Sequence, residues 1–129
     1  MSRPSPRRLI SSGSPFEQTI GFSRAVIVEG RVLVAGTAPI FPDGSCPEDV
    51  YLQTKRCLEI VVAALAEAGA GAEHVVRTRL FLTDRADEAA VSRAHGELFA
   101  DIRPAATMIV VAGFLDPRWK IEIEAEAIL

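Results

Sequence analysis

Apolar and polar residues alternate along the end of the chain, from Trp119 to Ile128, and this period of two predicts a β-strand. One predicted face carries Ile121, Ile123, Ala125 and Ala127, and the other carries Glu122, Glu124 and Glu126. Glu73 to Thr83 alternates in the same way. There, Val76, Thr78, Leu80 and Leu82 are predicted to share one face, opposite Arg77, Arg79 and Phe81.

Four shorter segments rich in branched residues are also predicted to be strands. Ser23 to Val28 and Arg31 to Ala35 flank Glu29-Gly30, and glycine tolerates the positive φ that a two-residue turn requires. These two segments therefore form a predicted antiparallel hairpin. Arg8 to Ser11 and Ala105 to Val111 are the other two predicted strands.

A spacing of three and four residues replaces the alternation in two segments and predicts two helices. The first runs from about Pro47 to Ala68, and Gly69 is suited to end it. Its predicted apolar stripe consists of Val50, Thr54, Cys57, Leu58, Val61 and Leu65. The second runs from Asp84 to Phe99, before Arg103-Pro104, with apolar residues Ala90, Val91, Ala94, Leu98 and Phe99.

The predicted order is β-β-β-α-β-α-β-β, which is an α+β architecture with a mixed sheet of about six strands. Residues 1–129 are expected to form one domain, with residues 1–6 flexible. Two helices cover only one face of such a sheet, so the other face must meet water or a partner. Because that face mixes charged and apolar side chains, it suits a partly polar subunit interface.

Composition narrows the class of partner. The net charge of −3 argues against nucleic acid as the main partner, because phosphate binding favours a basic surface. The basic cluster Arg3, Arg7 and Arg8 is interpreted as a solvated, frayed terminus. The start of the chain lacks the apolar region of a signal peptide, and no segment is long enough to span a membrane, so a cytoplasmic location is expected.

The reactive side chains form no familiar metal or nucleophile motif. Cys46 and Cys57 fit neither a disulfide framework nor a zinc pattern, and His74 and His95 lie far apart, so we expect no metal site. His95 is either an acid–base group or a surface residue. Glu122 is either a functional carboxylate or one of three solvated glutamates on its strand face.

Several ordered segments nonetheless resemble the Rid (YjgF-type, reactive intermediate deaminase) family, from about Leu9 to Ile128. They are Ile20-Gly21, Val34-Ala35-Gly36, Val75 through Asp84, Arg103-Pro104-Ala105, and Lys120 through Ala125. The resemblance implies a chorismate-mutase-like fold and a homotrimer with clefts between subunits. It also implies hydrolysis of imines or enamines, such as 2-aminoacrylate, without metal or cofactor.

The resemblance also implies a set of site positions. This chain keeps the archetypal residue at two of them and has a different residue at the others. Glu122 matches the carboxylate that holds the attacking water, and Gly36 matches the glycine that ends the third strand. Ala106 stands where an arginine grips the substrate carboxylate. The remaining implied substrate-binding positions are Phe22 for an aromatic hydroxyl, Ala35 for serine, Ser92 for asparagine and Met108 for cysteine. Thr107 is interpreted from its own chemistry, either as a hydrogen-bond donor to a ligand or as a β-forming residue of its strand.

Two function hypotheses follow. A divergent Rid-type hydrolase of an imine, enamine or related carbonyl-derived metabolite is favoured by Glu122, with backbone N–H groups near Ala106 and Thr107 holding the substrate. A non-enzymatic trimeric protein that binds a small molecule is favoured by the missing arginine. Two alternatives stay open for the clamp. Either another arginine replaces it, and the sequence does not choose among Arg24, Arg93, Arg103 and Arg118, or the substrate is more apolar and uncharged.

Overall fold

The computed structural model describes residues 6–129, so the predicted flexibility of residues 1–5 lies outside the described residues. The described chain contains six strands and two α-helices in the predicted order. They are β1 Arg8–Ile10, β2 Ala25–Val28, β3 Arg31–Thr37, α1 Val50–Glu67, β4 Val75–Leu82, α2 Glu88–Phe99, β5 Ala105–Val110 and β6 Ile121–Ile128. A π-helical turn at Glu17–Gly21 and two 3-10 turns, Ala72–His74 and Arg85–Asp87, connect them.

The strands form one mixed sheet in the order β1-β2-β3-β6-β4-β5. Strand β6 lies between β3 and β4 and is antiparallel to both, whereas β4 and β5 are parallel. The predicted α+β sheet is therefore confirmed, and its last strand occupies a central position. Glu122 lies near one end of β6, opposite Phe81 of β4.

The first helix begins later than the sequence pattern predicted, at Val50 instead of Pro47. Asp49 is its N-cap, and the carboxylate of Asp49 accepts a hydrogen bond from the backbone N–H of Leu52. Gly69 follows the helix with a φ of +82°, a left-handed conformation that glycine adopts at little cost. The predicted apolar stripe is buried against the sheet, together with Gln53 and Ala64.

The hairpin turn has the predicted positive φ at Gly30, +73°, and Glu29 also has a positive φ, +50°, which the sequence did not predict. Both values suit a type I′ turn, whose twist matches the right-handed twist of the flanking strands. Arg31 consequently pairs with Val28, and the register of β2 with β3 is regular. Arg8 does not lie in a frayed end, because it begins β1 and donates a hydrogen bond to the Glu67 carbonyl.

The prediction that Val76 shares the buried face of β4 is wrong. The register of β4 against β6 shifts between Val75 and Arg77, which makes Val76 the extra residue of a bulge. Val75 is buried in its place and Val76 is exposed. Beyond the bulge the alternation holds, with Thr78, Leu80 and Leu82 buried on the face that packs against the helices.

Strand β5 is an edge strand, and each of its six residues is exposed. Met108, Ile109 and Val110 belong to this strand, so the edge combines apolar side chains with unpaired backbone groups. On the sheet face without helices, Arg79 forms ion pairs with Glu124 and Glu126 at 3.3 and 3.4 Å. We call the sheet face without helices the open face.

None of the helices formed by residues 6–129 is long and apolar enough to cross a membrane.

Candidate functional site

Glu122 projects from β6 onto the open face, between the buried residues Ile121 and Ile123. Its carboxylate is half-buried, and a Cβ placed on Gly36 would lie 3.8 Å from its Oε2. Burial raises the pKa of Glu122, the charge of Arg24 lowers it, and Glu124 raises it further. Glu122 is therefore a partly desolvated carboxylate with a nearby cation, a setting in which a carboxylate accepts protons more readily than in water.

Arg24 shapes the strand end beside Glu122. One terminal nitrogen of its guanidinium, Nη2, donates to the carbonyls of Ala35 and Gly36 at 2.7 and 2.8 Å. Strand β3 changes register at this point, between Val34 and Thr37. The Nε of Arg24 is buried and has no hydrogen-bond partner among residues 6–129. Arg24 therefore holds the irregular end of β3, while its buried Nε–H has no acceptor among residues 6–129.

Phe22 and Ala35 lie in a cavity of about 850 Å³ near the N-terminal strand. Leu9, Val26 and Leu33 supply its apolar wall. Glu17 also lines this cavity, and its carboxylate accepts hydrogen bonds from the backbone N–H and hydroxyl of Ser12. Those hydrogen bonds lower the pKa of Glu17, so this carboxylate stays ionised. Sequence reasoning missed Glu17, and no spacing pattern links it to Phe22.

A second cavity of about 280 Å³ contains four of the predicted substrate-binding residues: Ser92, Ala106, Thr107 and Met108. Leu80, His95 and Gly96 complete its lining. The Ser92 hydroxyl donates to Oε1 of Glu88 at 2.8 Å, one turn earlier on α2. This cavity lies between α2 and β5.

The two groups of candidate residues lie on opposite sides of the sheet. Parallel pairing sets Ala106 beside Thr78 and Met108 beside Leu80, so both share the helix-covered face. Glu122 pairs with Phe81 and occupies the open face. One copy of the chain therefore brings together Gly36 with Glu122, Phe22 with Ala35, and Ser92 with residues 106–108, but does not join Glu122 to the second cavity.

Four arginines were candidates to take the place of the substrate-binding arginine that the resemblance implies at position 106. Three of them either lie away from Glu122 or already contact other residues. Arg118 bonds the Asp116 carboxylate and the Gly44 carbonyl. Arg93 stacks over the Tyr51 ring at 4.0 Å on the outer side of the helices. Arg103 is exposed in the turn before β5, with a φ of +58°. Of the four, Arg24 is the arginine whose charge acts on Glu122.

The other reactive side chains have structural contacts. His74 accepts a hydrogen bond at Nδ1 from the Gly71 backbone, and Cys57 is buried in the core, where desolvation raises its pKa. Trp119 is half-buried, and its Nε1 has no partner among the described residues. Within residues 6–129 no group of three or more histidine, cysteine, aspartate or glutamate side chains is placed to bind a metal ion.

A six-stranded mixed sheet with two helices on one face is a chorismate-mutase-like fold, and known proteins of this class are similar to the chain. The family described as Endoribonuclease L-PSP matches residues 13–129. An uncharacterized protein of Streptomyces coelicolor is 47% identical over 121 residues, which cover 93% of this chain and 90% of that protein. A RutC family protein of Pyrococcus abyssi is 35% identical, over 83% of this chain and 84% of that protein.

Solved structures agree with the sequence matches. A Mycobacterium tuberculosis member of the YjgF/YER057c/UK114 family superposes with a TM-score of 0.88 at 38% identity, over 96% of this chain and 100% of that one. The chain belongs to this family, which is also called the YjgF, RutC or Rid family.

Proposed function

We propose that the protein is a divergent Rid-type hydrolase that deaminates an imine, enamine or related small carbonyl-derived metabolite, with Glu122 as the catalytic carboxylate. The observation that carries this proposal is the position of Glu122, half-buried, next to Gly36 and under the charge of Arg24. Glu124 and Glu126 share its strand face but are paired with Arg79. Glu122 is thus distinguished from its neighbours by environment as well as by position.

The chemistry needs one carboxylate and one water. Ionised Glu122 accepts a proton from water as the water oxygen bonds to the carbon of the C=N group, and it passes that proton to the nitrogen, which gives a neutral carbinolamine. Glu122 then accepts the hydroxyl proton of the carbinolamine as the carbonyl forms and the C–N bond breaks, and it delivers this proton to the departing nitrogen, which leaves as ammonia. The net reaction consumes one imine and one water and yields one carbonyl and one ammonia, with no redox change.

The substrate would lie between two copies of the chain in a homotrimer. Glu122 and the residues Ser92, Ala106 and Met108 are on opposite sides of one sheet, so a cleft that includes both groups requires a second copy. The exposed edge of β5 supports this arrangement, since half of its backbone N–H groups point away from β4 and are free to hold a substrate near Ala106 and Thr107.

The substrate class follows from the lining. Ala35, Ala106 and Met108 present no charged group, and Phe22 presents no hydroxyl. These residues, with Gly36, Ser92 and Thr107, are the substrate-binding residues in this proposal. A mostly apolar, uncharged substrate fits such a lining better than 2-aminoacrylate, whose carboxylate would have to be desolvated without a guanidinium partner at position 106.

The second candidate function is a trimeric small-molecule-binding protein without catalysis. The observation that favours it is Ala106, which cannot replace the ionic clamp that the resemblance implies. A ribonuclease activity, which the family name Endoribonuclease L-PSP suggests, is disfavoured by the net charge of −3 and by three glutamates on the open face. We therefore expect neither nucleic acid nor a membrane as the main partner.

Ammonia release separates the two candidates. Wild-type protein is assayed with a panel of neutral imines that a flavin-dependent amine oxidase generates irreversibly from the parent primary amines and dioxygen, beside Glu122→Gln and the matched control Glu126→Gln. We expect Glu122→Gln to lower the rate by about 10²- to 10⁴-fold, the usual contribution of a positioned acid–base group, and Glu126→Gln to retain it. Equal rates for both variants, or no release by the wild type, would favour the binding protein.

A further inference from the structure

The side chains of Thr78 and His95 meet beside the small cavity between α2 and β5, which His95 lines. Thr78 Oγ1 and His95 Nε2 lie 2.9 Å apart, and the Thr78 side chain is fully buried. The imidazole also packs against Phe99, with ring centroids 4.7 Å apart. The ring is therefore held by Thr78 at Nε2 and by Phe99 along one side. Its other nitrogen, Nδ1, is neither hydrogen-bonded within residues 6–129 nor buried.

The hydrogen bonds available to the Thr78 hydroxyl indicate which nitrogen of the His95 ring carries the proton. A hydroxyl that is completely buried must give its hydrogen to an acceptor, because an unsatisfied buried donor costs free energy. Among the described residues the hydroxyl of Thr78 has one partner, Nε2 of His95. If Nε2 accepts, the proton of the neutral ring must reside on Nδ1.

Burial lowers the pKa of His95, which favours the neutral ring that this assignment requires. Among residues 6–129, no lysine, arginine, aspartate or glutamate lines the cavity. The other two polar residues of the lining are Ser92, whose hydroxyl is engaged with Glu88, and Thr107. His95 is thus the side chain best placed to offer a directed polar contact to a ligand.

We propose that His95 is a specificity-determining residue, oriented by Thr78 so that its Nδ1–H donates a hydrogen bond to an uncharged acceptor of the ligand, a carbonyl oxygen or an imine nitrogen. This inference rests on the proposed function in that the cavity is part of the ligand site. It goes further, because it identifies Nδ1 of His95 as the atom that recognises the ligand and an uncharged acceptor as the group that is recognised. Thr78, which does not reach the ligand, is a positioning residue.

Nitrogen-15 NMR of the imidazoles tests the tautomer in the wild-type protein. The chain has two histidines, and His74 must be an Nε2–H tautomer when neutral because its Nδ1 accepts from the Gly71 backbone. We expect one signal set of each tautomer at pH 7, with the Nδ1–H set belonging to His95. Finding both histidines as Nε2–H tautomers would overturn the proposal without any variant having to fold.

Ligand recognition is tested with the neutral probe 2-oxobutanamide. Titration should shift the His95 Nδ1 signal, and Thr78→Val should weaken binding by about three- to tenfold, the usual worth of one neutral hydrogen bond. His95→Gln, whose amide nitrogen replaces Nε2, should show the same loss. His95→Asn, whose amide nitrogen replaces Nδ1, should retain most of the wild-type affinity. An unshifted Nδ1 signal, or equal affinities for the two amide variants, would refute the role of His95.

These outcomes are independent of the ammonia assay. If Glu122→Gln abolishes ammonia release while the His95 variants keep wild-type affinity, the hydrolase proposal stands and the His95 proposal fails. If His95 responds to the probe as expected but no imine is hydrolysed, the His95 proposal stands as a binding determinant.

Discussion

Arg24 acts on Glu122 across the end of strand β3: its charge lowers the pKa of the Glu122 carboxyl while its Nη2 donates to the carbonyls of Ala35 and Gly36. The two effects have one origin, because the hydrogen bonds that hold the guanidinium at the strand end also keep it near the carboxylate. Burial acts on Glu122 in the opposite direction and raises its pKa. The protonation state of the proposed base thus depends on a residue two strands away in the sheet.

Replacing Arg24 should therefore change the pH dependence of the proposed reaction. Without the positive charge the pKa of Glu122 rises further, the carboxyl remains protonated to a higher pH, and the acid limb of kcat/KM moves to higher pH. Arg24→Gln is expected to show this shift, and Arg24→Lys, which keeps the charge, a smaller one. An acid limb that stays in place or moves to lower pH in Arg24→Gln would contradict the electrostatic role of Arg24.

The open face predicts a homotrimer. Ile109 is exposed on the edge strand, and a carboxylate row on β6 lies on the same side of the sheet, so apolar and charged groups are both available to a partner. Light scattering at micromolar protein should give about three times the chain mass of 13.9 kDa. Ile109→Lys should shift the population toward monomer, because a charge would be buried without a partner.

Leu52→Lys is the matched control for the trimer. Leu52 is exposed to a similar degree but lies on α1, on the opposite side of the sheet. We expect this variant to keep the mass of the wild type. A monomeric wild type, or dissociation of both variants alike, would argue against an interface on the open face.

The sequence was most informative where local pattern and burial agree. Ile121 and Ile123 are buried and Glu122 lies on the other face, as the alternation predicted, because β6 is a regular central strand with one covered face. The prediction failed at Val76 because a bulge inserts one residue into β4. Each inserted residue moves the side chains on one side of it to the opposite face, and a strict alternation along the sequence does not show where this happens. It also placed the start of α1 three residues early, since it did not identify Asp49 as the cap.

The candidate site was less accessible to sequence reasoning because it depends on contacts between distant segments. His95 meets Thr78 only because α2 packs over β4, and no spacing along the chain indicates that pairing. The parallel register of β5 decides that Ala106 shares the side of Thr78 and not the side of Glu122. Resemblance to the family supplied the proposed site positions, whereas their division between two sides of the sheet required the structure.

The absence of a clamp at Ala106 predicts weak activity on 2-aminoacrylate. A charge-assisted contact to a carboxylate contributes roughly 1.5–3 kcal/mol, which corresponds to on the order of tenfold to a hundredfold in rate or affinity. We expect pyruvate formation to be slower by about that factor than in a relative with arginine at this position. Ala106→Arg should recover part of the difference, because Ala106 is exposed and lines the second cavity.

The matched variant Ala106→Lys tests whether a positive charge alone is sufficient to recover pyruvate formation, since lysine lacks the planar guanidinium of arginine. Pyruvate formation by the wild type as fast as by the arginine-bearing relative would mean that the role assigned to position 106 is wrong.

The lining of the cleft predicts a preference for neutral over anionic ligands. Ala35 and Ala106 have no polar side-chain atom, Met108 has no ionisable group, and Glu122 repels a second negative charge in a half-buried setting. Thermal shift measurements should show stronger stabilisation by methyl 2-oxobutanoate than by 2-oxobutanoate at equal concentration. The opposing possibility is that Arg24 turns its buried, unpartnered Nε toward an anion. In that case the acid would stabilise the protein more than the ester, Arg24→Gln would abolish the difference, and Arg24 would be identified as the clamp.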